Sequence, residues 1–82
     1  MPDWYVYILR CSDGSLYTGI TNDLERRINE HNENSKLAAA YTRSRRPVKL
    51  VYQEICKDRS EASMREAIIK NMSKVEKEEL LK

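Results

Sequence analysis

The chain has 82 residues, 40% hydrophobic and 34% charged, with a net charge of +2. That length suits one small domain with a modest core, and the composition argues against a disordered or membrane-spanning chain, since no apolar run approaches the roughly 18 residues a span needs. Cys11 and Cys56 are far apart and there is a single histidine, so a structural zinc site cannot be assembled in the usual way and two reduced thiols in a cytoplasmic protein are expected. Met1-Pro2-Asp3 lacks the basic n-region of a signal peptide.

Trp4 to Cys11 is rich in aromatic and β-branched residues and reads as a strand. Ser12-Asp13-Gly14-Ser15 is turn chemistry, and Leu16 to Ile20 reads as the second strand of a hairpin. Gly19 interrupts that strand where a side chain is expected, which marks a close backbone approach or a bend. A helix should begin near Thr21 or Asn22, with Asn22 and Glu25 as a capping box in outline, and run to about His31. Lys36 to Arg46 reads as a loop. Pro47 opens a third strand over Val48 to Ile55. Ser60 is the expected N-cap of a second helix from Glu61 to about Asn71, with Met64, Ala67, Ile68 and Met72 as its core stripe. Ser73 with Glu76 is a better capping box, opening a short helix with Val75, Leu80 and Leu81 available to dock. The expected architecture is α/β: a small three-stranded, mainly antiparallel sheet flanked by about three helices.

Several residues point to chemistry. Leu24, Arg27, Ile28 and His31 share one helix face, which the two aliphatics turn toward the sheet. A guanidinium there must be paired or open to a cleft. A short hairpin can bring Tyr7 and Tyr17 onto one face, where a phenol near Arg and His can hold or activate water beside a phosphate. Between Asn34 and Gln53 there is no acidic residue. Arg43, Arg45, Arg46 and Lys49 in that stretch are therefore expected nucleic-acid contacts. Judged singly, each has a plainer reading. Strand tyrosines usually pack, a helix-end histidine can satisfy a terminal carbonyl, and Glu66 reads as a helix-surface carboxylate.

Tyr5-Val6-Tyr7 and Tyr17-Thr18-Gly19, with ten positions from Tyr7 to Tyr17, resemble the two half-motifs of the GIY-YIG nuclease family. Asn22 to Arg27 resembles the family's following helix, with its functional arginine at Arg27. Glu61 to Glu66 with Ile69-Lys70 resembles the helix that supplies the metal-binding glutamate, at Glu66. The similarity covers nearly the whole chain. It points to the short stand-alone bacterial subfamily through Tyr17 to Thr21, Tyr41-Thr42-Arg43 and Arg46-Pro47-Val48. Tyr5 stands where the first half-motif has glycine, Thr18 where the second has an aliphatic, and Ile20 where several relatives carry Lys or Arg.

This resemblance implies one 82-residue nuclease domain, monomeric in isolation, that cleaves DNA with one divalent ion, Mg²⁺ or Mn²⁺, at Glu66. Arg27 would clamp the scissile phosphate, Tyr7 or Tyr17 would position or deprotonate water, and His31 would assist or contact phosphate. Single-stranded, flexible or branched DNA in repair or processing is the implied substrate, with no small-molecule cofactor and no membrane. The alternatives are a catalytically weak or inactive nucleic-acid-binding module of the same fold, and a protein-interaction domain with a fossil site.

Overall fold

The computed structural model describes residues 3–82. Met1 and Pro2, on which the reading of the N-terminus rests, lie outside the described residues. Strand β1 (Trp4–Arg10) is central, flanked by β2 (Leu16–Thr21) and β3 (Lys49–Cys56), and both pairings are antiparallel. The β1–β2 turn has the expected chemistry. Asp13 Oδ1 accepts from the Ser15 backbone N–H at 3.0 Å, and Gly14 adopts φ of 84°, a conformation glycine takes without steric cost.

Alternation along β1 divides the core in two. Val6 and Ile8 point to one side and cluster with Cys56, Ala62 and Ile69, with Leu80 and Leu81 packed at the margin. Tyr7 and Leu9 point to the other and cluster with Cys11 and Val48, against Tyr17, Leu24 and Ile28. The two cysteines are free and buried, one in each cluster.

Among the described residues four helices flank the sheet: α1 (Leu24–Glu33), α2 (Ala40–Arg43), α3 (Arg59–Lys70) and α4 (Lys74–Leu80). The first departs from expectation at both ends. Thr21 Oγ1 accepts from the Asp23 N–H at 3.1 Å, leaving Asp23, not Asn22, as the N-cap, accepting from the Arg26 N–H at 3.1 Å. A carboxylate is also the better acceptor at the positive end of a helix. Helix α1 continues past His31 to Glu33 and ends at Asn34, whose side-chain oxygen accepts from the N–H groups of Lys36 and Leu37. The segment expected to be all loop contains the single turn α2. There the backbone of Thr42 and Arg43 donates to the Ala39 carbonyl.

The face of α3 is also displaced. Asp58, two residues before Ser60, is the N-cap and accepts from the Glu61 N–H at 2.8 Å. Ala62 and Ile69 are fully buried, whereas Met64 and Ile68 are 64% and 53% exposed. Between the buried pair lie Arg65 and Glu66, both half-buried. Arg65 donates to Glu54 of β3 at 2.8 Å. Met72 of the expected stripe packs against the buried cluster, but the inward side also includes Arg65, whose partner lies on β3, so apolar periodicity alone selects only part of the face.

The Ser73–Glu76 capping box that opens α4 is present in full. Leu80 and Leu81 dock, but Val75 is 72% exposed. Arg10 ties α4 to the central strand by two hydrogen bonds of 2.7 Å to Glu78.

The displaced face sets a test. Ile69→Ala should cost about 2–5 kcal/mol by urea denaturation, as truncation of a fully buried aliphatic does. Met64→Ala should change stability by less than about 0.5 kcal/mol. Equal costs would return Met64 to the core.

Candidate active site

Tyr7 and Gly19 are directly paired across β1 and β2. A Cβ on Gly19 would stand 2.5 Å from the Tyr7 hydroxyl oxygen and 2.7 Å from Cζ. The phenol thus lies across β2 in space that only glycine leaves open. Its hydroxyl is 2.8 Å from His31 Nε2, and His31 Nδ1 is 2.8 Å from Thr42 Oγ1. Tyr7, His31 and Thr42 are all buried to 1% exposure or less. Strand β1, the last turn of α1 and the turn α2 therefore meet in one polar chain inside an otherwise apolar layer.

Tyr17 stands beside this chain. Its ring meets the His31 ring edge-on at a centroid distance of 5.3 Å and stacks on Tyr41 at 5.9 Å. Arg45 lies over Tyr41 at 4.0 Å. Arg27 donates to Glu30 Oε1 at 2.9 Å and to the Leu37 carbonyl at 2.7 Å, and it is close enough to the Tyr7 hydroxyl to influence its ionisation. Glu66 of α3 also contributes to the field at that hydroxyl and pairs with Lys70 at 3.3 Å. The five expected catalytic residues thus fall into a core of Tyr7, Tyr17, Arg27 and His31, with Glu66 acting on it from another helix.

The basic segment is less uniform than its sequence suggests. Arg46 turns inward and donates to the His31 carbonyl at 2.6 Å, and its Nη2 is buried without a hydrogen-bond partner among the described residues. Arg45 pairs with Asp13 at 3.1 Å. Arg43 reaches the Ala38 carbonyl, and Lys49 is exposed at the start of β3. Arg45 and Arg46 thus have structural partners that composition could not reveal. Thr42 and Tyr41 were not singled out as site residues. No spacing rule marks a threonine that meets a histidine 11 positions away across a turn.

The surface near the site differs from a concavity of about 590 Å³ on the outer side of α1, lined by Asp23, Glu25, Arg26, Glu30 and Glu33. These carboxylates disfavour a polyanion. A cleft of about 200 Å³ lies at the stacked rings instead, lined by Tyr41, Lys74, Lys77, Ser15 and Leu16.

Burial shifts the two central groups in opposite directions. It is the chief reason that Tyr7 is pushed up to about 12, with Tyr17 adding and Arg27 opposing. It is also the chief reason that His31 is pushed down to about 4, with the Arg27 charge next and Arg46 adding. Both effects disfavour the charged form. At neutral pH both groups are uncharged.

A stability test follows. An unfolded histidine binds its proton near pH 6.5, but buried His31 resists protonation until about pH 4. Between those values the unfolded chain binds more protons, so stability is full above pH 6.5 and falls as pH drops toward 4, by roughly 3 kcal/mol. Urea midpoints across that window should show this loss in the native chain and not in His31→Gln. Parallel profiles would contradict the buried neutral histidine.

Comparison with known proteins shows the family of the chain. The model of the GIY-YIG catalytic domain matches residues 3–79. A UPF0213 protein of Desulfotalea psychrophila is 60% identical over 99% of this chain and 73% of its own length. A UPF0213 protein of Staphylococcus saprophyticus is 49% identical over 99% of this chain and 96% of its own. The solution NMR structure of a UPF0213 protein from Bacillus halodurans superposes with a TM-score of 0.61, at 44% identity, covering 96% of this chain and 82% of that one. Tyr7, Gly19 and Arg27 converge within the span of that domain match, and the chain belongs to the GIY-YIG catalytic-domain family.

Proposed function

We propose that the chain hydrolyses phosphodiester bonds of DNA, with one Mg²⁺ or Mn²⁺ at Glu66, acting as a monomer on single-stranded, flexible or branched segments in repair or processing. The observation that carries this reading is the 2.8 Å contact between the Tyr7 hydroxyl and His31 Nε2, beside Arg27. It joins a phenol, a neutral imidazole and a guanidinium suited to phosphate.

The donor set is compatible with the ion. Among the described residues no three His, Cys, Asp or Glu side chains converge to form a cage. A single carboxylate suits a hard cation that keeps most of its waters and takes further oxygens from a phosphate. When bound, such an ion stabilises the charge that develops on the phosphate. Lys70, now paired with Glu66, would have to release it.

The protein's own residues supply the rest. An incoming phosphate draws Arg27 from Glu30 and opens the Tyr7 hydroxyl, buried in the free chain, to the attacking water. As Tyr7 removes a proton from that water, its own phenolic proton passes to His31 Nε2. Oxygen of the water then bonds to phosphorus, the bond to the leaving 3′-oxygen breaks, and that oxygen takes a proton from solvent. Tyr7 alone is a poor base at about 12, and His31 is a weak one because it is buried and because Arg27 is close. A phosphate on Arg27 offsets that positive charge and raises the basicity of His31. Substrate binding thus prepares the base. Tyr17 borders the same space and orients water or phosphate. Lys74 and Lys77, in the cleft beside Tyr41, offer contacts to the flanking strand.

Labelled single-stranded, duplex and branched DNAs, incubated with Mg²⁺ or Mn²⁺ or with chelator, test the reading. The native chain should cleave only with metal, and Tyr7→Phe and Glu66→Ala should each lose roughly 10²-fold or more while folded. Salt-sensitive binding without cleavage would leave the binding module as the better reading. Cleavage by both variants at the native rate would remove these residues from the mechanism.

A further inference from the structure

For Tyr7 to pass a proton to His31, Nε2 must be bare. A neutral imidazole has one protonated nitrogen and one that accepts, and the partners decide which is which. Both ring nitrogens of His31 face hydroxyls at 2.8 Å. A hydroxyl can donate or accept, so these two distances alone allow either tautomer.

The ends of the chain remove the ambiguity. At one end, Thr42 Oγ1 donates to the Ala39 carbonyl at 3.0 Å. That carbonyl, which also accepts from the Thr42 and Arg43 backbone N–H groups, gives the hydroxyl proton an acceptor, so Oγ1 is free to accept from an Nδ1–H, and the Tyr7 end decides the order. At the other end, His31 is the only hydrogen-bond partner of the Tyr7 hydroxyl among the described residues, and the nearby Arg27 guanidinium can only donate. If Nε2 carried the proton, the Tyr7 O–H would be a buried donor with no acceptor among the described residues. Only one order leaves every group satisfied: Tyr7 O–H donates to Nε2, Nδ1–H donates to Thr42, and the Thr42 O–H donates to Ala39. Thr42 is itself fully buried, so no solvent competes for its hydroxyl.

We propose that Thr42 is a positioning residue that holds His31 in the Nδ1–H tautomer and thereby keeps Nε2 open to the Tyr7 proton. Its consequence for catalysis rests on the reading of Tyr7 as the base. The tautomer itself does not, and can be measured without activity. The turn α2 then has a function: it places the Thr42 hydroxyl and the Ala39 carbonyl together under the histidine.

His31 is the only histidine in the chain, so a protein labelled with ¹⁵N-histidine reports one imidazole. At neutral pH the native chain should show a protonated Nδ1 and a bare Nε2. Thr42→Ser, which keeps the hydroxyl, should show the same pattern and near-native cleavage. Thr42→Val, close in shape but without the hydroxyl, should shift the ring toward the Nε2–H form and lower kcat/KM at least about tenfold, in line with other sites where a wrong histidine tautomer is costly. A native chain with Nε2–H, or a Thr42→Val ring that keeps the native tautomer, overturns the proposal. So does a Thr42→Val protein that cleaves as fast as the native chain. If Thr42→Val does not fold, the native spectrum and Thr42→Ser still decide. If the native chain cleaves nothing, the spectra alone decide the tautomer, and the failure belongs to the nuclease reading.

Discussion

The buried contact between Tyr7 and His31 joins the central strand to the last turn of α1, and it depends on a missing atom. Tyr7 can lie across β2 only because Gly19 has no Cβ. From that position its hydroxyl meets a histidine that α1 delivers on the same face as Leu24 and Ile28. The apolar contacts of those two aliphatics set the rotation of the helix, and the rotation aims the imidazole. The polar chain is then completed by α2, which supplies Thr42. Unsatisfied polar groups in such a layer are costly, so the network helps to set the geometry it occupies.

The same burial gives the site its electrostatic character. Water is excluded from Tyr7 and His31, so both resist charge, and the nearby Arg27 and Arg46 make a protonated His31 still less favourable. An anionic ligand that engages Arg27 reverses part of this effect, because its charge favours a protonated imidazole. Glu30 and the Leu37 carbonyl hold Arg27, keeping a half-buried cation paired.

Much of this was legible in the sequence, and the misses have physical causes. The hairpin, the role of Gly19, the shared face of Arg27 and His31, and the Ser73–Glu76 capping box all follow from local rules that the tertiary structure did not overrule. Helix starts were less legible. Thr21 engages the Asp23 N–H and moves the cap of α1 by one position, and Asp58 takes precedence over Ser60. Apolar periodicity finds only part of the inward face of α3, because that face includes Arg65, paired with the remote Glu54, and Glu66, paired with Lys70 of the same helix. The arginines after Tyr41 looked like one basic surface, yet Arg46 faces inward and Arg45 is paired with Asp13. Thr42 stands in the Tyr41-Thr42-Arg43 mark of the subfamily, but its role was not legible, because its importance comes from what lies across the turn.

The central claim is that His31 takes the proton that Tyr7 gives up. Cleavage by His31→Gly, with and without added imidazole, tests this most directly. The folded variant should lose roughly 10²–10⁴-fold of its activity, and imidazole entering the vacated site should restore part of it. A folded variant that cleaves at the native rate, or a loss that imidazole does not change, would contradict the proposed proton transfer.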